Sequence, residues 1–105
     1  MNIPRILEIT LDIALSNDDS LKHVGDIIEE IENENILCEL IKHKAWEVRY
    51  SLVGRASHIM LLVLERDDDE RVQRAAVEKH AIELITLAEI IAKNNMLRLN
   101  AIAEA

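Results

Sequence analysis

With 105 residues, half of them apolar, and 20 acids against 12 Lys and Arg for a net charge of −8, the chain has room for one hydrophobic core and is too apolar for general disorder. Its longest apolar run, residues 59–64, is far too short to span a membrane, and the N-terminus lacks the basic-then-apolar layout of a secretion signal, so a cytoplasmic protein is expected. Two Gly, one Pro and no Phe leave few turn signals and an aliphatic core, which points to an all-α single domain over 1–105.

Taken in chain order, Pro4 suits a first helical turn, and Ile6, Leu7, Ile9, Leu11, Ile13 and Ala14 give an apolar face ending near Ser16. Residues 17–20 offer N-caps for a second helix in which Val24, Ile27, Ile28 and Ile31 form one stripe and Asp26, Glu29 and Glu30 the other. A break at 33–35 separates this acidic helical pair, residues 1–35, from the rest. A short helix over 36–43, another over 46–56, and one capped by Ser57 follow. Acidic residues 67–70 then supply a turn and negative charge at a helix start, where the macrodipole favours it. Helical periodicity continues to about Lys93, with breaks expected near His80 and at residues 94–95.

Residues 36–105 carry an internal repeat with a period of about 24. Val48-Arg49, Val72-Gln73 and Leu97-Arg98 each open an apolar segment, at offsets of 24 and 25. Across the 24-residue offset Val53 falls on Val77, Leu61 on Ile85, Arg55 on Lys79 and Glu65 on Glu89. An upstream copy at Leu21-Lys22 is offset by 27 and reads as degenerate. With the acidic turn of 67–70, the Val-Arg pair and the Leu-x-x-Leu segments of 61–64 and 84–87, this region resembles the leucine-rich-repeat variant family and, more loosely, HEAT-like repeats; Gln73 departs from the pattern. The resemblance implies short stacked helices forming a small α-solenoid used as a binding scaffold, with no particular activity. In such repeats the Arg of the pair bonds an acid in the adjacent turn.

Charge gives the second signal. Positions 1–40 hold ten acids against Arg5 and Lys22, while acids and bases balance over 41–105, so all net charge lies in the N-terminal part. Charged helix faces are ordinarily solvated, yet Asp26, Glu29 and Glu30, at i, i+3 and i+4, make a patch suited to a basic protein surface. The expected function is therefore a non-enzymatic protein-binding module. The alternative is a small acidic inhibitor or immunity-type protein, bacterial or phage, that occludes a basic or nucleic-acid-binding site. A third reading, a HEAT-like nucleic-acid-binding protein, rests on Arg49, Arg55, Arg74, Lys79 and Arg98, which recur along equivalent helices. Neighbouring acids neutralise that segment, and a net charge of −8 lacks the basic field that drives such binding.

No catalytic or cofactor pattern stands out. Ser51, Ser57 and Thr86 lack a nucleophile-elbow glycine pattern, and Glu39/His43 and His80/Glu83 offer two metal ligands each where a site needs more. Cys38, in an apolar segment, reads as a small buried hydrophobe, and as the lone cysteine it fits a reducing compartment. Trp46 and Tyr50, at i and i+4, either pack together or form an exposed anchor, and core packing is the expectation. The last repeat begins at Leu97 without a second half, and Ala81, Leu84, Ile85, Ala88 and Ile91 are expected to be buried, with Ile82, Leu87 and Ile90 adding apolar surface; homodimerisation through the C-terminal helices would cover it.

Overall fold

The computed structural model describes residues 3–104, with side chains through Arg98. Six α-helices and no strands occur among the described residues: α1 (Arg5–Leu15), α2 (Ser20–Glu29), α3 (Glu34–Leu40), α4 (Trp46–Leu52), α5 (His58–Leu64) and α6 (Glu70–Glu104), with a 3₁₀ turn, Val53–Arg55, after α4. Side-chain caps set several starts. Asn33 accepts the Asn35 and Ile36 N–H groups, Ser57 accepts that of Met60, and Asp69 accepts that of Arg71 at 2.8 Å.

The core is aliphatic and repeats. α1, α3 and α5 each bury a pair at i, i+3: Leu11 and Ala14, Leu37 and Leu40, Leu61 and Leu64. α2, α4 and α6 each bury a pair at i, i+4: Val24 and Ile28, Val48 and Leu52, Val72 and Ala76. The second set keeps one 24-residue register, from Val24 to Val48 to Val72 and from Ile28 to Leu52 to Ala76. Leu21, where an upstream copy was expected, is exposed, and buried Val24 falls in the 24-residue register instead. Two side chains mark the same period from outside the core. Arg55 donates to the carbonyls of Ile28 (2.7 Å), Glu29 (3.4 Å) and Ile31 at the end of α2. Lys79, one period on, donates to those of Val53 (2.8 Å), Gly54 (3.0 Å) and Ala56 (3.4 Å) at the end of the 3₁₀ turn. Each cation satisfies the free carbonyls of the preceding helix end, where the macrodipole is negative.

Other expectations are corrected. The helix expected over 46–56 stops at Leu52 and tightens into the 3₁₀ turn. α6 is unbroken at His80 and at 94–95, because residues 70–104 contain neither Gly nor Pro and Ala81 stands where Ser57 caps α5. Its residues after Ala76 leave the core, so that Ala81, Leu84, Ile85, Ala88 and Ile91 are exposed rather than buried, and the molecule measures 64 × 26 × 24 Å. Cys38 is exposed as well, since the inner positions of short α3 belong to Leu37 and Leu40.

Candidate functional site

α2, α4 and the start of α6 pack side by side, and equivalent positions one period apart are exposed along this row: Asp26 on α2, Tyr50 on α4 and Arg74 on α6. Tyr50 stands between two grooves. The first, of about 400 Å³ between α2 and α4, is lined by Leu21, Lys22, Gly25, Asp26, Glu29, Tyr50, Ser51, Gly54 and Arg55. A β-carbon would fit at either glycine of this lining: at Gly25 it would come 3.9 Å from Ser51 Oγ, and at Gly54 it would meet nothing within 4 Å. The second, smaller groove lies between Tyr50 and Arg71, Arg74, Ala75 and Glu78.

Asp26, Glu29 and Glu30 are all exposed, and none of them forms an ion pair among the described residues. Asp26 and Glu29 rim the first groove, while Glu30 caps the end of α2 outside its lining. The one guanidinium in that groove, Arg55, is turned to the α2 carbonyls and leaves the carboxylates uncompensated by it.

The repeated bases are dispersed and mostly engaged. Arg49 donates to both carboxylate oxygens of Asp67 (2.8 and 3.2 Å) and to the His43 carbonyl (2.6 Å), which is the acid-turn pairing expected of the Val-Arg repeat. Arg55 and Lys79 are held on backbone carbonyls, Arg74 pairs with Glu70 one turn away, and Arg98 is exposed on the far part of α6. Trp46 and Tyr50 meet edge-on with centroids 5.9 Å apart, and the Arg71 guanidinium lies 3.5 Å over the Trp46 ring, a contact that no sequence pattern announced. Arg71 is itself bound to Asp69, which holds that carboxyl down to about 2 and raises the Arg71 pKa.

His80 turns to Glu65 and to the His58 ring, 4.8 Å away, and not to Glu83 as its spacing suggested. His43 sits in the α3–α4 turn, where its Nδ1 accepts the Ala45 N–H at 3.0 Å. Burial pushes its pKa below the ordinary 6.5, against the raising effect of Asp12, because a charged ring would lose solvation; protonated Nδ1 would also lose the Ala45 bond. A histidine depressed on folding contributes stability above its unfolded pKa, and that stability is lost as pH falls through the folded value. Denaturant midpoints should therefore drop as pH falls below about 6.5, and His43→Gln should flatten that slope; an unchanged slope would remove His43 as its source.

Compared with known protein families, curated proteins and solved structures, the chain shows no match.

Proposed function

We propose that this chain is a non-enzymatic protein-binding module on a small solenoid of two-helix repeats (α1–α2, α3–α4, α5–α6), HEAT-like or leucine-rich-repeat-variant-like in plan, and that its partner docks on the acidic edge of α2. Three buried pairs in a 24-residue register and the matched roles of Arg55 and Lys79 support the scaffold. The observation that carries the function is the α2–α4 groove. Apolar Leu21 and Tyr50 stand beside Asp26 and Glu29, an arrangement that would take a basic side chain with an apolar neighbour from a protein surface. Confinement of the net charge to positions 1–40 favours, as a second reading, an inhibitor that covers a partner's basic or nucleic-acid-binding site.

The test neutralises the edge. The triple variant Asp26→Asn, Glu29→Gln, Glu30→Gln should keep thermal stability within about 0.5 kcal/mol, because the three side chains are exposed and unpaired. Immobilised native chain should capture a partner from host lysate in a salt-sensitive manner, since screening over about 10 Å at 0.1 M weakens steering. The variant should lose that capture. Equal capture with equal salt dependence would remove the docking role of α2.

A further inference from the structure

The far part of α6 points to a second surface, independent of the α2 groove. Ile85 and Ala88 stand one period beyond the buried Leu61 and Leu64, yet here the helix has left the core and both are exposed. From position 81 to 97 eight large apolar side chains are 50–66 % exposed, a density that no solvated helix face accounts for. Of these, Leu84, Ile85 and Ile91 share one face with Ala81, Ala88 and Ala92, at i, i+3, i+4, i+7, i+10 and i+11, while Ile82, Leu87, Ile90 and Leu97 lie outside it.

We propose that a second copy of this chain covers this face, with the two α6 segments of residues 81–98 paired antiparallel about a two-fold axis near Ile91. Two observations select that occupant. First, a helical segment of this length extends about 27 Å, and half of a cylinder about 10–12 Å across offers roughly 420–510 Å². An identical face brings the total to roughly 850–1,000 Å², the lower edge of specific association. Second, the charges of the segment are polarised, with Glu83 and Glu89 in its first half and Lys93 and Arg98 in its second. Reversal about Ile91 brings each acidic half beside the partner's basic half and opposes the two helix dipoles; parallel pairing would set like charges together. The alanines at 81, 88 and 92 let the backbones approach closely.

Sedimentation equilibrium and light scattering on the full chain at micromolar concentration should give about twice the 12.0 kDa of one copy. The double variant Leu84→Glu, Ile91→Glu should be monomeric with unchanged helicity and a retained cooperative melt, as both side chains lie outside the core; a shift in dissociation constant of at least 100-fold is expected. Orientation is read in a Cys38→Ser background: Ile91→Cys should cross-link to itself on oxidation, and Glu83→Cys should not. A strict monomer, as would follow if residues 82–88 folded back on their own α5, overturns the proposal. So does ready self-cross-linking through Glu83→Cys. Open-ended growth that is blocked by charges at Ile6, Ile9 and Ile13, the exposed apolar strip of α1, would equally overturn the closed pair.

Discussion

Leu61→Ala should lower the free energy of unfolding by about 3–4 kcal/mol, while Leu62→Ala, one residue along, should cost under about 1 kcal/mol. Leu61 is fully buried and lies in the cluster with Leu64, Val72 and Ala76, where α5 meets α6; Leu62, about 100° further round the same short helix, is 44 % exposed. Truncation at 61 removes the transfer energy of three carbons and leaves a cavity that rigid neighbours cannot fill. In a domain of this size the melting temperature should drop by about 15 °C or more. Urea titration checks both variants together, as a shift of midpoint with little change in slope. Equal costs at the two positions would mean that α5 does not present the face described.

Arg49→Met should cost about 2–3 kcal/mol, more than any other single change among the polar side chains. Arg49 and Asp67 are only 15 % and 8 % exposed, and the pair is two-pronged, with a third bond to the His43 carbonyl. Without the guanidinium, Asp67 keeps the Asp69 N–H at 2.8 Å but loses its counter-charge, and a carboxylate so little exposed is expensive to leave unpaired. Asp67→Asn alone should cost less, since the neutral amide needs no counter-charge. The double variant should cost no more than Arg49→Met, because Asn at 67 removes the unpaired carboxylate, giving a coupling of about 1–2 kcal/mol in a double-mutant cycle. Additive losses would show that the two side chains act separately. By comparison, Arg74→Met should change stability by under about 0.5 kcal/mol, because its pair with Glu70 is exposed on both sides.

How much of this was legible varies residue by residue. The role of Arg49 was readable through the repeat resemblance, which implies a bond to an acid in the adjacent turn; that the acid is Asp67, and not one of its three acidic neighbours, came from the structure. The extension of the register to Val24 was hidden because Gly25, not an Arg, follows that valine, while Leu21-Lys22 nearby imitates the pair at the wrong offset. For α6, two signals conflicted. The 24-residue register called for a turn at 81, but Lys79-His80-Ala81 lacks the capping hydroxyl that Ser57 supplies one period earlier, and an uninterrupted run of good helix formers prevailed. The acidic edge was visible as an i, i+3, i+4 set, since that depends only on helix geometry. Its groove was not, because Tyr50, Ser51 and Gly54 come from another helix and from the turn after it. The diversion of Arg55 to backbone carbonyls leaves no trace in composition.

The repeat scaffold is the claim on which the rest stands, and duplicating one unit tests it most directly. Residues 46–69, comprising α4, the 3₁₀ turn, α5 and the acidic turn, span 24 residues, and a second copy inserted between Asp69 and Glu70 continues the buried register of Val48, Leu52, Leu61 and Leu64. Its Arg55 equivalent would meet the Val53, Gly54 and Ala56 carbonyls that Lys79 now holds, and Lys79 would meet those of the new copy. In a stacked repeat, stability grows with each unit and its interface. The lengthened protein should therefore fold cooperatively, with helix content raised by one unit and a urea midpoint equal to or above that of the original chain. Loss of cooperative unfolding, or a midpoint well below the original, would contradict the repeat architecture.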